Sequence, residues 1–198
     1  MRFVRKRTNK FKLYSDYLYI LLTIILLCYY GKDNLYLANG AGGNGWKIGN
    51  PQVNPISAIP TRSLLELQKQ ALMLVNRDRQ LNGLSPLVED PLIALTAQKH
   101  ALDMARQNFY GHVNPQGQNP SDRYRANGGI GGVGENINIL QNSPGISPSY
   151  GLVEKFQRSW MYSSGHRQNL LNPNYTKFGF GIVANPITGE AYAVQNFQ

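Results

Sequence analysis

The chain has one cysteine, Cys28, in 198 residues, so a disulfide framework and a cysteine-rich zinc site are both excluded. Histidine is scarce as well: there are only His100, His112 and His166. No G-x-S-x-G elbow and no H-E-x-x-H pair occurs. Charge is sparse at 16% and leans one way, with 20 Lys+Arg against 11 Asp+Glu. No apolar run reaches the roughly 20 residues that a bilayer span needs. What is present is a 42% hydrophobic fraction, enough for a sizeable core, which argues against full disorder. The length suits one domain with extensions.

The basic excess sits mostly at one end. Arg2, Arg5, Lys6, Arg7, Lys10 and Lys12 are six of the 20 basic residues, and from Gly31 onward 14 basic residues face 10 acidic ones. Nucleic-acid binding needs a basic face on a folded domain, and this pattern does not indicate one. Behind the tip, residues 17–30 form 14 uncharged, mostly apolar positions between Asp16 and Lys32. That length matches a secretory h-region of about 7–15 residues. Residues 1–30 therefore read as a signal peptide, with a short uncleaved membrane anchor as the alternative. Ala38-Asn39-Gly40 has the small residues of a cleavage site, but lies well past the run. Cys28 follows Leu26-Leu27 and reads as apolar filler. On either reading the positive end stays inside and the rest is exported.

Residues 31–62 are rich in Gly, Asn and Pro, and read as a flexible tether. Order is expected over 63–198. Ser63-Leu-Leu-Glu66 has capping-box spacing, and Leu64, Leu67, Ala71, Leu74 and Val75 follow a helical period to about Gln80. Asp90-Pro91 opens a second helix, with Leu92, Leu95, Ala101, Leu102, Ala105 and Phe109 as its expected buried side. A loop from Gly111 to Gly134 leads to an alternating strand, Asn136-Ile-Asn-Ile139. A third helix fits Tyr150 to about Tyr162. Phe178–Val183 and Ala191–Val194 read as a closing hairpin. Helices mixed with antiparallel strands predict an α+β fold.

Gly129-x-Gly131-x-x-Gly134 has dinucleotide-fingerprint spacing. The fingerprint needs a strand before it and a helix after it. Here a loop precedes it and a strand follows, so it reads as a loop. Ser163-Ser-Gly-His166 places hydroxyls near an imidazole, which a helix end with a glycine turn also explains. His100 reads as a packing histidine, and His112 as a helix-end residue. Glu135 enters a strand that should be buried, and a buried acid needs a partner. Spacing alone leaves open whether His112, Glu135 and His166 meet.

Several motifs in order carry a resemblance. They are Val75-Asn76-x-x-Arg79 with Gly83-Leu84-x-Pro86-Leu87; Ala97 to Phe109; His112-Val-Asn-Pro-Gln-Gly117 with Pro120-x-Asp122-Arg123; Gly134-Glu135-Asn136; Trp160-x-x-Ser163-x-Gly165-His166-Arg167-x-Asn169-Leu-Leu-Asn-Pro173; and Tyr175-Thr176-x-x-Gly179-x-Gly181. Over about Leu64 to Phe197 the chain resembles the SCP-like extracellular branch of the CAP superfamily (cysteine-rich secretory proteins, antigen 5, pathogenesis-related proteins), in its bacterial form. The resemblance implies an α-β-α sandwich with a central, mainly antiparallel sheet. It also implies a groove lined by two histidines and two acids. His112 and Glu135 match one of each. The second acid's position holds Ser163, and the second histidine's holds Asn174. His166, beside Arg167, enters the cavity from another point.

The implied function is an exported, non-catalytic protein whose groove binds an extracellular lipid, glycan or cell-surface protein. It would touch a membrane only through its N-terminal segment. The alternative is a metal-assisted hydrolase, with Glu135 as base or with help from Ser163. No cofactor is required, although His112 and His166 could hold a divalent ion such as Zn²⁺ weakly. A third possibility is a structural surface protein whose histidines only lock its loops.

Overall fold

The computed structural model describes residues 45–51 and 61–198. The segment read as signal or anchor, with Cys28, lies outside them. Among the described residues no helix is long and apolar enough to cross a membrane.

Helix α1 (Leu64–Leu81) starts at the Ser63 capping box, with Ser63 and Glu66 bonded reciprocally. Strand β1 (Val88–Glu89) is only two residues long. Helix α2 (Pro91–Gln107) is capped by Asp90, whose carboxylate accepts from the amides of Leu92 and Ile93. Helix α3 (Pro120–Ala126) lies within the stretch expected to be loop. Its signal is Asn119-Pro120-x-Asp122, an N-cap, a proline at the first helical position and a reciprocal acid. Strand β2 (Gly134–Leu140), helix α4 (Tyr150–Tyr162) and helix α5 (Ser164–Leu170) follow. Strands β3 (Lys177–Asn185) and β4 (Glu190–Phe197) form the hairpin. The Ser163-Ser-Gly-His166 segment therefore opens a new helix rather than only ending one.

The sheet order is β1-β3-β4-β2. β1 runs parallel to β3, and the other pairs are antiparallel. Strand alternation assigns side chains to two layers. Phe178, Phe180, Ile182, Ala191, Ala193 and Phe197 join α1 and α4 in the main core, which includes Trp160. Ile137, Tyr192 and Val194 pack against Ala97, Ala101 and Met104 of α2. Helices thus cover both faces of the sheet, and the α-β-α sandwich is observed.

Helix α2 is buried along a different stripe from the one expected. Leu95 is 45% exposed, whereas Ile93, Ala94, Ala97, Ala101 and Met104 are buried. The reason lies in β3, whose Gly179 and Gly181 face α2. A Cβ on Gly179 would stand 2.2 Å from the Ala94 nitrogen, and one on Gly181 would stand 2.4 Å from the Gln98 Cα. Helix and strand backbones approach so closely that only small residues fit between them. Gly179→Ala is accordingly expected to destabilise by about 1–3 kcal/mol through overpacking against backbone, measurable by urea titration.

β2 is an edge strand, yet several of its outward backbone groups are engaged. Ile137 O accepts from Trp160 Nε1 at 3.0 Å and from Tyr110 Oη at 3.1 Å. Glu135 O accepts from Asn169 Nδ2 at 3.1 Å, and Ile139 N donates to Asn138 Oδ1 at 2.9 Å.

Candidate functional site

Glu135 is the second residue of β2, and its side chain turns towards α2 and α3. Oε1 lies 2.9 Å from His112 Nδ1, and Oε2 lies 2.7 Å from the Arg123 guanidinium. A carboxylate only accepts, so His112 Nδ1 carries the hydrogen and donates. In the neutral ring this leaves the Nε2 lone pair uncommitted, on a side chain that is 50% exposed. The Asn196 amide, oriented to match its surroundings, donates to Glu135 Oε2 at 3.2 Å and to Gln195 O at 3.2 Å. The acid is buried and bonded through both oxygens.

Arg123 also ties the histidine loop down. It donates to His112 O at 2.7 Å and to Gln118 O at 2.8 Å. The α3 helix therefore exists, functionally, to aim one guanidinium at a loop and a carboxylate. The sequence carries a signal for it: a motif arginine that needs an acidic partner, and a strand acid that needs a basic one.

His100 is buried behind the same acid, with Nε2 3.9 Å from Glu135 Oε1. Nε2 donates to Gly111 O at 3.0 Å. Burial pushes its pKa below the ordinary 6.5, against a smaller opposing pull from Glu135. Among the described residues His100 Nδ1 and Arg123 Nε have no hydrogen-bond partner. Both residues border a cavity of about 290 Å³ between α2, α3 and the histidine loop, lined also by Lys99, Asp103, Arg106, Asn114, Gln118 and Asn127.

His166 sits in the first turn of α5. Its backbone oxygen accepts from Asn136 Nδ2 at 3.1 Å, beside Glu135. Its ring is half-buried, and burial lowers its pKa, with a further push from the charge of His112. Arg167 turns elsewhere: its guanidinium stands 4.4 Å from the centre of the Trp46 ring. Ser163 joins α4 to α5, and its side chain does not cap α5. Asn174 is exposed on the loop before β3, where its amide N–H donates to Asn172 Oδ1 at 2.9 Å. The structure therefore joins His112 to Glu135 directly, sets the His166 backbone against the neighbouring Asn136, and adds Arg123, His100, Asn169 and Asn196 around the acid.

The buried neutral histidines set a pH dependence. Their folded pKa values lie below the unfolded value near 6.5. The unfolded chain then binds more protons below that pH, so stability is complete above about 6.5 and falls as the pH drops through it. A chemical-denaturation series from pH 7.5 to 5 should show this decline, and His100→Gln should flatten it.

The family model for the cysteine-rich secretory protein family (CAP) matches residues 72–197, and the chain belongs to that family. Among curated relatives, protein YkwD of Bacillus subtilis (strain 168) is 33% identical over 133 residues, covering 67% of this chain and 48% of the relative. The membrane protein YlbC of the same organism is 30% identical, covering 66% of this chain and 34% of its own. This chain thus spans about half and a third of those relatives. An extracellular protein containing an SCP domain from Bacillus anthracis str. Ames superposes with a TM-score of 0.56 at 30% identity, over 67% of this chain and 40% of that one. An outer surface protein from Borrelia burgdorferi has a TM-score of 0.57 at 16% identity, over 71% and 98% of the two chains, and shares the fold.

Proposed function

We propose that this domain works outside the cell as a non-catalytic binding module, taking a polar ligand, first of all a glycan, at the face that carries His112 and His166. The observation that carries this reading is the commitment of both Glu135 oxygens, to His112 Nδ1 and to Arg123. An acid bonded through both oxygens, with a side chain 1% exposed, is poorly placed to take a proton from a substrate. It acts instead to orient His112, whose exposed Nε2 is suited to accept from a ligand hydroxyl. Charged and amide side chains at the neighbouring cavity, Lys99, Asp103, Arg106, Asn114 and Gln118 among them, supply hydrogen-bond partners for a polar ligand. The extracellular description of the Bacillus anthracis relative supports the location.

The test is calorimetry with neutral and acidic oligosaccharides, set beside phospholipid vesicles and followed by product analysis. Oligosaccharide binding that weakens at least about tenfold in His112→Ala, with no cleavage, is the expected result. Cleavage that depends on Glu135, or binding to vesicles alone, would reject it.

The hydrolase alternative has one observation in its favour. His112 Nε2 is uncommitted, and burial lowers the pKa of the His166 ring towards its neutral form, as metal ligation requires. A catalytic zinc needs about three protein ligands. Among the described residues no group of three or more His, Cys, Asp or Glu is arranged to hold an ion. The donors present do not make up that set, and no step is derived through a metal.

A further inference from the structure

Residues 45–51 precede the family match, yet they are built into the domain. Ile48 is buried in the main core. Lys47 and Asn82 exchange hydrogen bonds of 2.8 and 2.7 Å. Gly49 N donates to Asp78 Oδ1 at 2.9 Å, and Arg77 reaches Asn50 O at 2.9 Å. Trp46 meets Tyr162 edge-on at 5.5 Å and receives Arg167 on its face.

Two paths run from this strap to the site. The first is short, because Arg167 adjoins His166 and its other contact, at 2.8 Å, is Met161 O at the end of α4. The second is a buried chain of amides. Gln157 Nε2 donates to Asp78 Oδ2 at 2.8 Å, and Gln195 Nε2 donates to Gln157 Oε1 at 2.9 Å. Asn136 Nδ2 donates to Gln195 Oε1 at 3.3 Å and to His166 O at 3.1 Å. Asn169 Nδ2 then donates to Asn136 Oδ1 at 2.9 Å. Every amide points its nitrogen towards Asp78, because a carboxylate offers only acceptors. The orientation of Asn136, next to Glu135, is thereby set from the strap end. Asp78, Gln157, Gln195 and Asn136 are all buried, so water does not compensate a break in the chain.

We propose that residues 45–51 are a control strap for the site: seated, they fix α5 and Asn136 and so hold His166 in place beside the Glu135 strand; released, they let that wall of the site move. This rests on reading the His112–Glu135–His166 face as the binding site. It makes ligand affinity depend on whatever engages or pulls the chain ahead of residue 45.

The test uses the full chain and NMR titration of the histidine rings, which needs no ligand. Ile48→Asp places a carboxylate in the core position and drives the strap off, and Trp46→Ala removes the Arg167 contact more gently. Both should raise the His166 titration midpoint, because burial is what lowers it. The side-chain amide signals of Asn136 and Gln195 should move or broaden with it. Leu87→Ala, a core truncation off the relay, is the control for plain destabilisation and should leave His166 unchanged. The proposal is overturned if the strap variants lose stability with His166 and the two amides unmoved, or if Leu87→Ala moves them equally. A failed oligosaccharide experiment, by contrast, would strike the ligand reading and leave these shifts standing.

Discussion

Glu135→Ala should destabilise the domain by about 3–5 kcal/mol, the usual loss when one partner of a buried ion pair is removed. Arg123 is left with its guanidinium buried beside His100 and its partner gone. His112 loses the acceptor that fixes its ring. Glu135→Gln keeps the shape and one acceptor, so it should recover part of the loss while His112 remains poorly oriented. Urea titration of the three proteins at pH 7 measures the series. A loss below about 1 kcal/mol in the alanine variant would mean that the acid is not a buried hub. If oligosaccharide binding survives Glu135→Ala while stability drops, the network serves the fold alone.

Arg79→Ala should cost at least about 3 kcal/mol, because hydrogen bonds to a charged group each contribute roughly 1.5–3. Arg79 is fully buried and makes no ion pair among the described residues; burial lowers its pKa. Its guanidinium donates instead to four backbone oxygens: Ser85 at 2.8 Å, Leu170 at 3.0 Å, Asn172 at 2.9 Å and Tyr175 at 3.3 Å. One side chain on α1 thus pins the end of α5 and the loop that leads to β3. Arg79→Lys should lose nearly as much, since a point-like ammonium cannot span four carbonyls. Thermal melting with both variants checks this, and a lysine variant that melts like the parent would refute the four-point assignment.

These two side chains also mark the limit of what the sequence reveals. Ser63 with Glu66, and Asp90 with Pro91, are local signals, because the groups they satisfy lie within one helical turn. The hairpin and β2 are legible from alternation for the same reason. Arg79 carries no local sign of its four carbonyls, which belong to residues up to 96 positions away. The buried stripe of α2 departs from expectation because leucines outrank alanines in a hydrophobic pattern, and the pattern does not show that Gly179 and Gly181 face the helix. Glu135 visibly needs a partner, but nothing near it in the chain shows that it has His112, Arg123 and Asn196 at once. Ser163 and Asn174 stand out by family position. Neither donates or accepts through its side chain in the Glu135 network, where a buried amide chain from Asp78 to Asn169 stands instead.

The engaged backbone of β2 bears on how this protein meets others. A strand at a sheet margin is normally a template on which a foreign strand can form a ladder. Here Trp160, Tyr110, Asn169 and Asn138 occupy the sites such a ladder would use. At the opposite margin β1 covers only the start of β3, and beyond it the side chains of Gln68 and Gln98 bond Phe180 O and the Ile182 backbone. These bonds disfavour strand addition, and recognition through side chains and loops is the mode they leave open. The same bonds guard against fibril growth in a chain that has no cystine to hold it together.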